Sequence, residues 1–416
     1  MEYIFKQKID RYQIDELQKR LPFLSEYQID YIINYREGVA YSMTICPDSE
    51  IKIEELSQML DYLMKDIYKI KNIPSKVVWE KEYFPSKSNL QEVLNSSYVY
   101  KNSVGQVTLS GDLLDLFNRF NELFAIISQR SFNSKAYEFP VLLPTRILEK
   151  TGYFEHNPYQ WMKIDRLKKE IKNYQMYSKQ MLYSTNNSAS MCDSGYSLPP
   201  TMCYYVYDML QNSSIDNSSY TTSGRAFRYE GDCDKPFERL VDFTIRETVF
   251  VGTRRFVEAS VEKYMNYTIK LMDILGVCGR CETANDIFFM TDRTAERLNI
   301  QKMLGSKYEL LLYVPDEKLV AVASFNKHGN FIGKRFNIHT NEIKNPIAYS
   351  ACVGIGLERL VFSCVAQIGL EHIKQLVEDL KDPVFIIDQI EKCTGDHSVP
   401  STNVVNSAWG ADNFWT

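Results

Sequence analysis

Gly354-Ile355-Gly356-Leu357-Glu358-Arg359-Leu360 is the stretch on which the reading of this chain turns. Two glycines two residues apart let backbone approach a neighbour closely, and the residues that follow open a helix with an arginine at its start. Alone, a Gly-x-Gly before a helix has many structural uses, so its meaning depends on what surrounds it. Further back, Phe227-Arg228-Tyr229-Glu230 is followed by a polar loop. Glu238-Arg239-Leu240-Val241-Asp242-Phe243 and Arg246-Glu247-Thr248-Val249-Phe250-Val251-Gly252 come next. This order predicts a hairpin that presents alternate side chains on one face. Arginine suits phosphate, because its planar fork donates two parallel charge-assisted hydrogen bonds. Earlier still, Leu113, Leu114, Leu116, Phe117, Phe120, Leu123, Phe124 and Ile127 recur at helical spacing within 109–132. That pattern predicts a long core-facing helix. The segment Tyr137-Glu138-Phe139-Pro140-Val141-Leu142-Leu143-Pro144 then reads as a strand and turn, since proline can neither continue a helix nor pair in a central strand.

Bulk properties bound the class. The 416 residues are 44% hydrophobic and 24% charged, enough for a sizeable core in one large or two unequal domains. Residues 1–75 predict a small α+β unit, 76–104 a linker, and 105–416 a larger domain with alternating strands from about 203 to 362. Within it, Lys163, Arg166, Lys168, Lys169, Lys172 and Lys179 predict a basic helical insertion at about 162–182, mostly a solvated face and otherwise a docking surface for an acidic partner. The stretch 183–200, rich in Ser, Asn and Gly, predicts a loop. A net charge of −5 gives no global pull toward nucleic acid. No run of eighteen apolar residues appears, the stretch MEYIFKQKID lacks the basic, apolar and small-residue pattern expected of a secretory leader, and nine scattered cysteines fit reduced thiols or metal ligands. The expected compartment is the cytoplasm, with no membrane association.

Taken together and in this order, the three segments resemble the signature motifs of class II aminoacyl-tRNA synthetases, over about residues 105–365. Within that class the chain is similar to the amino acid:carrier protein ligases, truncated relatives of the seryl-type catalytic domain. Tyr153-Phe154, Ala284–Phe289, Lys307-Tyr308-Glu309, Ser324–His328 and Ala351–Gly354 carry the narrower resemblance. The resemblance implies an α+β fold, an antiparallel β-sheet flanked by helices. It also implies a homodimer formed through the helix at 109–132 and the segment ending at Pro144. It implies an enzyme that activates a small amino acid with ATP and Mg²⁺ as an aminoacyl-adenylate. Arg228 is then the catalytic group that holds the α-phosphate, Glu230 faces the adenine amino group, and Phe243 stacks on adenine. Arg239 reaches phosphate or supports the loop, and Arg359 packs over the nucleotide.

The resemblance further implies a Zn²⁺ site on Cys203, Glu247 and Cys352, whose open fourth position could take the substrate amine. Small core thiols are the alternative for these cysteines, and Cys278-Gly279-Arg280-Cys281 is a competing metal pair. His328 and His339 read as structural or loop histidines. For the acceptor, the phosphopantetheine thiol of an acyl carrier protein is expected, docking on Lys168, Lys169 and Lys172. A tRNA is disfavoured, because no long amino-terminal heptad pair and no strongly basic extension is visible. A seryl-type tRNA synthetase and a non-catalytic paralogue are the alternatives. Retention of Arg228, Glu230, Arg239, Phe243 and Arg359 counts against the paralogue.

Overall fold

The computed structural model describes residues 1–24, 29–47, 52–82, 87–180, 190–229, 237–285 and 294–394. The first unit comprises β1 (Glu2–Ile9), α1 (Arg11–Gln18), β2 (Ile29–Arg36), β3 (Val39–Pro47) and α2 (Ile53–Ile67). Its antiparallel sheet has the order β1-β3-β2. Helix α1 starts where Asp10 accepts from the Gln13 N–H and Gln13 reaches back to the Asp10 N–H, a reciprocal cap that satisfies two orphan donors. Leu56, Leu60, Leu63, Met64 and Ile67 of α2 bury a stripe at helical spacing against that sheet.

The larger body begins inside the stretch read from sequence as a linker. It runs through β4 (Val77–Lys81), α3 (Leu90–Asn95), β5 (Val99–Ser103), β6 (Gln106–Leu109), α4 (Gly111–Phe132), β7 (Lys135–Ala136), β8 (Leu143–Pro144), α5 (Thr145–Thr151) and α6 (Tyr153–His156). Next come β9 (Lys163–Leu167), α7 (Ile171–Gln180), β10 (Met191–Ser197), α8 (Cys203–Met209), β11 (Ser214–Ile215), β12 (Ser218–Phe227), β13 (Asp242–Gly252), α9 (Arg254–Leu275), β14 (Gly279–Thr283) and α10 (Thr294–Leu304). The chain closes with β15 (Lys307–Val314), β16 (Lys318–Gly329), α11 (Phe331–Phe336), β17 (His339–Thr340), β18 (Tyr349–Gly356), α12 (Leu357–Ile368), α13 (Ile373–Asp379) and α14 (Pro383–Thr394).

An eight-stranded sheet of order β4-β14-β15-β16-β18-β13-β12-β7 organises this body, antiparallel except where β7 runs parallel to β12. Alternation along the strands divides the core in two. On one face Phe250, Phe325, Val353 and Ile355 meet α4, α9 and α12. There Leu113, Leu116, Phe120, Leu123, Phe124 and Ile127 of α4 are fully buried, each contributing about 1.5–3 kcal/mol by leaving water. On the opposite face Ile245, Val249 and Cys352 meet α5, α8 and α11. Cys203, Phe243 and Cys352, named from the sequence as candidate site residues, lie on this second face.

Several segments differ from the sequence reading. The stretch 183–200, read as a loop, holds strand β10 at Met191–Ser197, and its residues 183–189 lie outside the described residues. Residues 137–142, read as a strand, are irregular; only Leu143–Pro144 pairs, and α5 follows directly with Pro144 as its cap. The basic insertion is not a single helix: Lys163–Leu167 is a strand, paired with β10, and only Ile171–Gln180 is helical. The alternation Lys-Ile-Asp-Arg-Leu has strand period, and the surrounding lysines mask it. The first unit also packs against the larger body. Ala295 and Leu298 of α10 join its core, Asn285 donates to the Tyr12 hydroxyl at 3.1 Å, and the Lys302 ammonium lies 4.4 Å from the Tyr12 ring. Among the described residues no helix is long and apolar enough to cross a membrane.

Candidate active site

The hairpin predicted around Arg228 is formed by β12 and β13, in continuous register from Ser218↔Val251 to Phe227↔Asp242. Strand β13 pairs on its other side with β18, which places Glu247 opposite Gly354 and Val249 opposite Cys352. Glycine leaves room in this layer for the ends of two long side chains. A Cβ on Gly354 would lie 2.9 Å from Ile245 Cδ1, and one on Gly224 would lie 2.4 Å from Met202 Cε. Helix α12 starts at Leu357, directly after the second glycine of the motif.

Arg228 leaves the end of β12 with its Nε donating to the Pro200 carbonyl at 3.0 Å and its guanidinium 5.3 Å from the centre of the Phe243 ring. The guanidinium thus sits over the ring in a cation–π contact. Arg359, in the first turn of α12, points its Nη1 to the Ala321 carbonyl at 3.4 Å. Arg239 is half-buried beside Glu238, which lies 3.6 Å from Lys318. Glu230 lies outside the described residues. Lys168, Lys169 and Lys172 are all exposed, at the end of β9 and the start of α7.

Cys203, Glu247 and Cys352 come from α8, β13 and β18, and the fold brings all three together, buried. Thr201 and the Cys203 backbone N–H donate to the Glu247 carboxylate, while Glu247 Oε2 is buried without a partner. Burial first, then the nearby Cys352 sulfur, pushes the Glu247 carboxyl up to about 7, and the Arg228 charge pulls the other way. The arginine therefore lies near enough to the thiol–carboxylate cluster for its charge to act on Glu247. Cys203 donates to Cys352, which holds the Cys352 thiol well below its usual range, whereas burial raises that of Cys203. The donor types suit zinc. Even so, among the described residues no group of three His, Cys, Asp or Glu side chains is arranged to hold a metal ion, and the expected zinc site gains no support from the geometry. The competing Cys278 and Cys281 are core thiols: both are buried, and desolvation lifts Cys281 to about 12.

Sequence reasoning missed three participants. His328 sits on β16 with Nε2 3.7 Å from Cys352 Sγ and Nδ1 3.2 Å from Ser350 Oγ and 3.3 Å from the Tyr207 hydroxyl. It therefore borders the cluster instead of a loop. Arg225 joins Asp242 at 2.6 Å and the buried Glu358 at 3.2 Å, and Glu358 also accepts from the Thr244 N–H at 2.9 Å. This network ties the hairpin to the start of α12. No local pattern could reveal it, since Arg225 and Glu358 are 133 residues apart. Thr222 is the third, buried directly opposite Glu247.

Known proteins share this architecture. A crystal structure of the M. kandleri seryl-tRNA synthetase with A. aeolicus tRNASec matches 96% of this chain and 79% of its own, with a TM-score of 0.64 and 17% identity. The Pyrococcus horikoshii seryl-tRNA synthetase complexed with ATP matches 79% of this chain and 80% of its own, with a TM-score of 0.54 and 13% identity. The fold is that of the class II seryl-tRNA synthetases. No protein-family model matches the chain. By sequence it is 26% identical over 304 residues to the type-2 serine–tRNA ligase of Methanococcus aeolicus, covering 69% of this chain and 57% of the relative. It is 27% identical over 278 residues to that of Methanocaldococcus jannaschii, covering 64% and 53%. The chain thus spans little more than half the length of these relatives. The expectation that tRNA is disfavoured gains no support, because the M. kandleri neighbour was solved with a tRNA.

Proposed function

We propose that this chain is a cytoplasmic ligase that activates a small amino acid, serine foremost, as an aminoacyl-adenylate and transfers it to tRNA. The observation that carries the first step is the pairing of Arg228 with Phe243 on the sheet face that also holds Glu247, Cys203 and Cys352. ATP enters with Mg²⁺. An oxygen of the amino acid's carboxylate attacks the α-phosphorus, the bond to pyrophosphate breaks, and the Arg228 guanidinium balances charge building on the phosphoryl oxygens. Phe243 packs on adenine, Glu230 faces its amino group, and Arg239 and Arg359 reach the outer phosphates. A Zn²⁺ held by Cys203, Glu247 and Cys352 would bind the substrate's neutral amine, and the unpartnered Glu247 Oε2 supports that assignment. We take the working molecule to be a homodimer.

The relatives' names favour tRNA as acceptor. The exposed Lys168, Lys169 and Lys172 fit RNA phosphate and fit an acidic, phosphopantetheinylated carrier protein equally well. Incubation with ATP and radiolabelled serine, glycine or alanine, together with either total tRNA or a panel of carriers, separates the two. Label in tRNA is the expected result. Label on a carrier alone would replace tRNA with the thioester-forming reading.

A further inference from the structure

Among the described residues, four buried polar atoms on the site face have no partner in the protein, the Tyr153 and Tyr205 hydroxyls and one atom each of Thr222 and Glu247, and the last two belong to residues directly opposite each other on neighbouring strands. Thr222 on β12 faces Glu247 on β13 in the antiparallel register, so both side chains leave the sheet on the same side. Each residue is 1% exposed, and Thr222 Oγ1 and Glu247 Oε2 are the unpartnered atoms. A buried hydroxyl without a partner gives up a hydrogen bond it would have in water, a loss that a ligand can recover. Thr221, one residue earlier, shows the contrasting case: its hydroxyl faces the other way and donates to the Glu247 carbonyl at 2.9 Å.

The chemistry around Thr222 selects what it can bind. Opposite Thr222 stands Glu247 and, near its carboxylate, the Cys352 sulfur, so this buried cluster holds several acceptors side by side. Such a cluster repels a carboxylate and matches a group carrying more than one N–H. The Arg228 guanidinium, close enough for its charge to act on Glu247, supplies the cation that a carboxylate needs. An α-amino acid satisfies both ends at once, with its amine toward β12 and β13 and its carboxylate toward Arg228.

We propose that Thr222 is a specificity-determining residue that accepts a hydrogen bond from the amine of the bound amino acid, beside Glu247. The assignment rests on the amino-acid-activation reading and deepens it. It holds whether the amine is held by Glu247 itself or by an ion that Glu247 helps to hold, because either arrangement leaves an N–H free to donate. Thr222 thereby helps to distinguish amino acids from plain carboxylic acids of the same shape.

Titration calorimetry on the full chain tests this with glycine, alanine and serine, each beside its amine-free counterpart: acetate, propionate and 3-hydroxypropionate. Wild type, Thr222→Val, which keeps the shape and loses the hydroxyl, and Thr222→Ser, which keeps the hydroxyl, are compared. The valine variant should bind the preferred amino acid about tenfold more weakly, the scale of one lost hydrogen bond, and the serine variant should restore binding. Binding of the amine-free acid and of ATP should be unchanged in both. Equal amino-acid affinity in wild type and Thr222→Val overturns the assignment. So does an equal loss for the amino acid and its amine-free counterpart, or a serine variant that fails to restore binding. If wild type binds no small amino acid at all, the activation reading itself fails and takes this assignment with it.

Discussion

Replacing Glu247 by Gln should stabilise the protein after metal is stripped with a chelator, and the gain should grow with pH. Burial raises the Glu247 carboxyl from its ordinary 4.5 to about 7. The folded state therefore holds this proton more tightly than the unfolded chain does. The resulting stability is fully present below pH 4.5 and is lost as pH rises through 7. At about 1.4 kcal/mol per pKa unit, the ionised group costs about 1 kcal/mol at pH 5 and about 3 kcal/mol at pH 8.5. Glutamine does not ionise, and its amide oxygen can still accept from Thr201, the partner of Glu247 Oε1. Urea unfolding of both proteins across this range should show the stability gap widening in favour of the variant by about 2 kcal/mol from pH 5 to pH 8.5. Saturating zinc should then stabilise the wild type more than the variant, because an ion compensates a buried carboxylate. A gap that stays flat with pH would refute the buried, ionisable Glu247 on which the site description depends.

Further outcomes follow from the same geometry. Arg228→Ala should lower adenylate formation by about 10²–10³-fold, the scale for losing one preorganised charge-stabilising group, while circular dichroism stays native; wild-type pyrophosphate exchange would contradict the phosphate assignment. Cys352→Ser should lose bound zinc and activity, whereas Cys278→Ser should keep both, as elemental analysis of purified protein would report. Reversing the charges of Lys168, Lys169 and Lys172 together should raise the apparent KM for the acceptor and leave adenylate formation intact. An unchanged acceptor KM would remove these lysines from the docking surface.

The parts of the fold that could be read in the sequence are those whose signal is local. The stripe from Leu113 to Ile127 announced α4, and the glycines at 354 and 356 marked the backbone approach that precedes α12. The hairpin was legible in its strand–loop–strand order, whereas the shared nucleotide role of Arg228 and Phe243 came from the family resemblance; the guanidinium lies 5.3 Å from the ring centre. Pairings between distant segments were not readable. The Arg225–Glu358 contact, the approach of His328 to Cys352 and the Thr222–Glu247 opposition each depend on which strands become neighbours. Val77–Lys81 was missed as a strand for a related reason: it pairs with β14, about two hundred residues away, and of its three apolar residues only Trp79 packs on the core, while Val77 and Val78 are exposed. Periodicity reports which face a residue takes; it does not report what that face meets.

The central claim is that this site makes an aminoacyl-adenylate. Amino-acid-dependent exchange of radiolabelled pyrophosphate into ATP, run with each of the twenty amino acids separately, tests it without assuming any acceptor. Exchange with a small amino acid, serine first, is the expected result. Exchange with none of the twenty would contradict the claim.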